Sequence, residues 1–404
     1  MDATAGTIEA NSRRPIPWVL GGAFVLLFLF RDLLVTEQGV IGHSAYWGRD
    51  FINVWTGGHL IREGRFDILY DVSAYADYQR GLFGEIDRHN YSYPPVTFPI
   101  ASLLSLLPYW VALAAWTGGT AALFIWSARQ WWPERAGPAW LAILTPAALV
   151  NIWAGHYGFL LGALFLLGWQ NLDEKPRLAG IFFGLMLIKP HLAVLIPLVL
   201  LIRRKWEAIG WGAATVAALI AITTALYGWG AWHEFLFRTS GVQLKLIDAG
   251  QSLFGLMSTS SITAMLALSG SWAFAIAVYV ATASVAVWMV VKATVSRVAT
   301  RDLGFLVATA TFLVLPYCFN YDLTVVMIGA LWLLTRESLE GSDRRLAMYG
   351  FLAPQLGMVL AALGFPLMPL MLLGLACAQY RLATAGEIAP VPASRWPHST
   401  SIQL

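Results

Sequence analysis

A chain of 404 residues with 58% hydrophobic and only 12% charged side chains cannot clothe a water-facing globule, whose residues are about 25% charged. A formal net charge of +3 is too small and too scattered to suggest nucleic acid as a partner, and two cysteines, Cys318 and Cys377, in separate apolar stretches neither define a disulfide framework nor supply metal-ligand spacing. The expected solvent is lipid, and nineteen Trp and fourteen Tyr suit its two interfaces.

In chain order, residues 1–16 read as a cytoplasmic segment, and the apolar run from Trp18 to Phe30 reads as an anchor because no small-residue cleavage site follows it. Residues 37–96 are different in kind. They mix acids and arginines with many aromatics, from Tyr46 and Trp47 to Tyr91 and Tyr93, which a mere connector would not need. The spacing of Phe51, Val54, Trp55, Gly58 and Leu60/Ile61 predicts a helix that Gly64 stops, and a second amphipathic helix is expected over roughly Val72 to Phe83. Asp50 stands at the start of the first helix. It suits an N-cap, and it equally suits a carboxylate at the membrane–water boundary that takes a proton from a hydroxyl. Arg49 beside it is a charge partner or an anion ligand. Tyr93-Pro94-Pro95 makes a stiff re-entry into the membrane and can present the Tyr93 ring to a sugar or headgroup.

Apolar segments recur near 17–36, 97–127, 138–153, 157–170, 178–202, 207–228, 271–291, 303–318, 321–335, 346–364 and 366–380. Several are shorter than the ~20 residues that span a bilayer, which is tolerated where a helix lines a protein cavity. Lys189-Pro190 interrupts 178–202 and predicts a hairpin of two short helices with Lys189 near its tip. A lysine at membrane depth costs roughly 2.5–3.5 kcal/mol, so it is expected to meet an acid, snorkel, or serve as an anion site. Residues 229–250 read as an outer loop with solvated charges, among them His233, Glu234 and Arg238. Asp322, after Pro316-Tyr317-Cys318-Phe319-Asn320-Tyr321, reads as a helix N-cap or as a second polar group of a site.

Placing the N-terminus inside puts most of the 26 Lys and Arg in cytoplasmic loops, provided that 178–202 crosses twice and 250–269 does not cross fully. Both termini are then cytoplasmic, and 37–96, His156, Lys189 and Asp322 share the outer face. One transmembrane domain is expected over 17–385, with a disordered cytoplasmic tail over 386–404. The chain carries no Walker, GxGxxG, HExxH or GxSxG signature.

The order of several short pieces resembles glycosyltransferase family 87, of the GT-C class. They are Gly48-Arg49-Asp50-Phe51-Ile52-Asn53-Val54-Trp55-Thr56-Gly57-Gly58, Leu69-Tyr70-Asp71, Tyr93-Pro94-Pro95, Leu107-Pro108, Trp153-Ala154-Gly155-His156, Lys189-Pro190-His191 ahead of Arg203-Arg204-Lys205-Trp206, and Pro316 with Tyr321-Asp322. The resemblance runs from about residue 45 to 335. It departs over Ala154-Gly155-His156, where members usually carry Gln or Asn-Gly-Gln, and over 317–320, where they commonly carry a His.

The resemblance implies an all-α polytopic membrane protein. Its GT-C-type bundle would hold about 10–12 transmembrane helices, with an amphipathic-helix first extracytoplasmic loop. It implies transfer of a mannose- or pentose-like sugar from a polyprenyl-phosphate donor to a lipid or polysaccharide acceptor at the outer face of the inner (plasma) membrane. No metal and no cofactor are expected beyond the lipid-linked sugar. On this reading Asp50 is the catalytic base and Lys189, Arg49 and His156 hold the donor phosphate, while Trp55, Tyr93, His191, Tyr321 and Asp322 line the substrate. The alternative is a transporter or flippase of a lipid-linked sugar. It is disfavoured by polar groups gathered on one side and by the lack of repeated halves.

Overall fold

The computed structural model describes residues 32, 34, 36–37, 40–41, 45–86, 89–245, 247–248 and 252–385. The expected segment 1–16, the apolar run from Trp18 to Phe30 and the tail 386–404 lie outside the described residues. A small antiparallel meander, Thr36–Glu37, Val40–Ile41 and Ala45–Tyr46, pairs Thr36 with Ile41 and Val40 with Tyr46. Beyond it the regular structure is helical, and the chain is an all-α polytopic membrane protein.

Among the described residues three helices are long and apolar enough to cross a membrane: Tyr109–Ala128, Trp206–Tyr227 and Trp272–Val295. The most apolar stretch of Trp206–Tyr227 is only 6% buried, so Ile222 and Leu226 face outward where water could not stabilise them. Trp110 and Trp126 stand exposed near opposite ends of Tyr109–Ala128, about 24 Å apart at 1.5 Å per residue, as an aromatic belt requires. Shorter apolar helices such as Gly158–Asn171 and Thr324–Leu334 sit inside the bundle, buried on almost every side.

Prolines divide two of the expected segments. Leu107-Pro108 splits 97–127 into Phe98–Leu104 and Tyr109–Ala128, and Pro146 ends a 3-10 turn over Ala139–Leu144 before opening the helix Pro146–Ala154. The hairpin at 178–202 is present as Pro176–Leu185, two 3-10 turns on either side of Lys189, and Ile196–Ile202. Its return is fixed chemically. Lys205 Nζ donates to Asp173 Oδ1 at 2.7 Å, so the chain that leaves at 173 is back beside it at 205. Trp206–Tyr227 then runs alongside Pro176–Leu185, close enough that a Cβ on Gly180 would lie 2.3 Å from the Ala208 carbonyl oxygen.

Basic loops meet at the end of the bundle where this hairpin begins. Arg203 donates to the Val298 carbonyl at 2.6 Å, Thr300 to Asp173 at 2.5 Å, and Arg336 pairs with Asp302 at 2.9 Å. Lys189 is at the hairpin's other end.

The loop helices form at Phe51–Arg62 and Val72–Phe83, as the spacing predicts. The second is amphipathic, burying Tyr75, Ala76 and Gln79. The first is packed more deeply than an interfacial helix. Gly57 lies under the Tyr91 ring, and a Cβ on Gly58 would meet the Ala101 carbonyl oxygen at 2.1 Å, so this glycine pair lets the helix press against Phe98–Leu104. Residues 229–245 are a helix, Trp229–Lys245, rather than a loop. It leans on the first loop through Phe235 beside Tyr70 and Arg238 paired with Glu234 and Asp71, which uses charges that solvent was expected to hold.

Candidate active site

A cavity of about 260 Å³ opens between the first loop, the hairpin tip and the segment around 317–322. Asp50, Tyr93, His156, Lys189, His191, Tyr321 and Asp322 all line it. These residues come from five separate stretches of sequence, and tight backbone joints hold them together. Gly48 and Arg49 turn with positive φ of 83° and 39°, bringing the Asp50 amide onto the Ala154 carbonyl at 3.0 Å. Gly155 caps Pro146–Ala154 in the left-handed region at φ 63°, and a Cβ there would stand 2.8 Å from the Gly48 carbonyl oxygen. The turn carrying Asp50 and the turn carrying His156 are therefore locked to one another.

Asp50 holds the N-cap position of Phe51–Arg62 without capping it. Its φ and ψ of −69° and −18° are helical, and its carboxylate accepts no bond from the first turn. Asp71 shows the contrast, accepting from Ser73 N at 3.0 Å and Ala74 N at 2.9 Å. Burial raises the Asp50 carboxyl from an ordinary 3.8 to about 6, against the opposing pull of Lys189 and Arg49.

Across the cavity Lys189 Nζ donates to Asp322 Oδ2 at 2.6 Å. Asp322 is consequently not a helix cap; it belongs to a 3-10 turn, Asn320–Asp322, and neutralises a buried ammonium. One of the three lysine donors is used this way. Asp322 Oδ1 faces His156 Nδ1 at 3.8 Å, and His156 Nε2 bonds the Tyr93 hydroxyl at 2.9 Å. Burial, and then the Lys189 charge, hold His156 well below the usual imidazole range, while burial holds the Tyr93 phenol well above its own. The neutral imidazole stacks on Tyr321 at 4.1 Å, and the ammonium lies 5.1 Å from that ring's centroid. Thr259 and Ser260 pin the 316–322 segment through the Cys318 and Pro316 carbonyls.

Two expected residues are not at the cavity wall. Arg49 donates to Asp32 at 2.9 Å and lies 3.8 Å over the Trp153 ring, because its left-handed turn sends it away from its neighbour Asp50. Trp55 packs against His59, Phe83 and Tyr109 and donates to the Leu107 carbonyl. It is two positions beyond the cavity-lining Asn53, about 200° around the helix.

Asn53, His89, Asn90 and Ser92 line the cavity and were not singled out from sequence. Asn53 was within reach of periodicity, since i+3 from Asp50 is the same face. Phe235, Phe254, Tyr317 and Phe319 give the cavity an aromatic side. Among the described residues no group of three or more His, Cys, Asp or Glu side chains is placed to hold a metal ion.

The family model described as glycosyltransferase family 87 matches residues 91–316, more than half of the chain. The chain belongs to glycosyltransferase family 87. No curated protein and no solved structure matches it. As a family 87 glycosyltransferase it requires a sugar donor and an acceptor. The matched stretch contains Tyr93, His156, Lys189 and His191, whereas Asp50 and Asp322 lie outside it and join the site through the contacts above.

Proposed function

We propose that this glycosyltransferase moves a mannose- or pentose-like sugar from a polyprenyl-phosphate donor to a hydroxyl of a lipid or polysaccharide acceptor, at the extracytoplasmic face of the plasma membrane. The observation that carries the reading is Asp50: a carboxylate shifted to about 6, spared from capping its own helix, and opening into a cavity that also holds a lysine. Near neutral pH it is mostly ionised yet basic enough to accept a proton. The acceptor oxygen bonds to the anomeric carbon as its proton passes to Asp50, and the bond from that carbon to the phosphate oxygen breaks, with inversion. Lys189, oriented by Asp322, offers its remaining N–H groups to the departing phosphate, and the neutral His156 assists. Arg49 supports the Asp50 turn through Asp32 and Trp153 instead of meeting the phosphate. The aromatic side of the cavity suits the isoprenoid. The donor supplies the electrophile and the leaving group, so no cofactor and no metal is required by this route.

The test is transfer from polyprenyl-phosphate mannose and polyprenyl-phosphate arabinofuranose in membranes. Asp50→Asn is expected to lower the rate by about 10²–10⁴-fold. Full activity in that variant would overturn the mechanism.

A further inference from the structure

One polar side chain of the cavity is held with unusual care. Asn53 is 6% exposed, and that exposure is to the cavity, one helical turn beyond Asp50. The second loop helix grips it twice. Tyr75 donates its hydroxyl to the Asn53 carbonyl oxygen at 2.9 Å, and Gln79 Nε2 donates to Asn53 Oδ1 at 3.2 Å. Gln79 is fully buried, and its Oε1 has no hydrogen-bond partner, a condition that costs about 1–3 kcal/mol. An apolar residue at 79 would avoid that cost but would leave Asn53 Oδ1 without its donor, so the two amides work as a pair. The effect is to fix the Asn53 amide with the oxygen turned inward. The Nδ2 group donates to no described residue. Facing the same space, the irregular run through His89, Asn90 and Ser92 presents further polar side chains, and His89 Nε2 is a buried atom without a partner.

We propose that Asn53, oriented by Gln79, donates a hydrogen bond to a sugar hydroxyl beside the reacting centre, and that with the 89–92 wall it forms the subsite that selects the sugar. A wall of neutral donors and acceptors suits sugar hydroxyls, which offer both, and does not suit an isoprenoid. Gln79 is a positioning residue in this arrangement. The assignment rests on the lipid-phosphate-sugar reading of the same cavity.

The experiment measures binding to the full chain in lipid nanodiscs. The probes are farnesyl-phosphate mannose, farnesyl-phosphate arabinofuranose and the monodeoxy forms of each. The wild type is expected to prefer a parent sugar over one of its deoxy forms by about tenfold, the weight of one neutral hydrogen bond. Asn53→Ala should erase that preference for that one hydroxyl and leave the others. Asn53→Asp keeps an oxygen for Gln79 Nε2 and, assayed at alkaline pH with its carboxylate ionised, has no donor for the sugar, so it should lose the same preference. Gln79→Leu should weaken it partway. If Asn53→Ala binds every probe more weakly by one common factor, or if Asn53→Asp keeps the wild-type preference, the assignment is overturned and the donor reading stands. If the wild type binds neither lipid-linked sugar, both fall. If it binds them and Asn53→Ala changes nothing, the subsite alone is wrong.

Discussion

At the scale of single residues, the site sets a carboxylate that burial disfavours against an ion pair that burial permits. Asp50 titrates near 6 instead of 3.8 because its charged form is poorly solvated. As the proposed base, Asp50 would be in its active, ionised form above about pH 6, so transfer is expected to fall tenfold per pH unit below that point. A pH–rate profile lacking this acid limb would remove Asp50 as the base. In stability the sign is opposite. The folded protein holds this proton more tightly than the unfolded chain, so stability is lost as pH rises from 3.8 through 6, and the cost persists above. Asp50→Asn should therefore melt higher than wild type at pH 7.5 and together with it at pH 4, as differential scanning fluorimetry in detergent would show. The Lys189–Asp322 pair behaves otherwise. Both residues are 8% exposed, and Asp322→Asn strands a buried ammonium at a cost of about 3–5 kcal/mol. Adding Lys189→Met should recover most of the melting temperature without recovering transfer. Restored activity in the double variant would deny Lys189 its role at the phosphate.

At the scale of elements, glycines decide how near the helix Phe51–Arg62 comes to its neighbours. A Cβ on Gly58 would lie 2.1 Å from a backbone oxygen that cannot swing aside, so Gly58→Ala must push Phe51–Arg62 off Phe98–Leu104. A loss of about 3 kcal/mol is expected, at the upper end for overpacking. Gly64 has open space around it and only a positive φ of 70° to satisfy, so Gly64→Ala should cost about 1 kcal/mol. Equal melting temperatures for the two variants would contradict the packing argument. The helix ends at Phe51, Arg62, Val72 and Phe83 were legible in sequence because apolar spacing and a stop glycine are local signals. The helix Trp229–Lys245 was not, since its charges read as a solvated loop until Asp71 and Glu234 are seen to hold Arg238. Nor could sequence show that Arg49 and Asp50, adjacent in the chain, diverge at a left-handed turn.

At the scale of the whole molecule, the cavity joins residues more than 250 positions apart, and no periodicity connects Asp50 to Asp322. What sequence carried across that gap was charge. A lysine inside apolar sequence needs a counter-ion or a cavity, and Lys189 has both. The same reasoning by charge predicts which way the bundle faces. Basic residues at 135, 203, 205 and 336 bond acids or carbonyls at the end where the hairpin starts, while Asp50 and Lys189 lie by its tip. By the positive-inside rule the cavity is then expected outside. Single cysteines at exposed Glu85 in the first loop and exposed Glu134 in a basic loop give the test, in a Cys377→Ser background with the buried Cys318 left in place. In intact cells a membrane-impermeant maleimide should label Glu85→Cys, and it should reach Glu134→Cys only after permeabilisation. The reverse pattern would place the cavity in the cytoplasm, where the proposed outer-face acceptor is absent. Labelling of both positions in intact cells would break the sidedness drawn from the hairpin's return at Lys205. Only the predicted pattern leaves the donor lipid, the base and the acceptor on one side of the membrane.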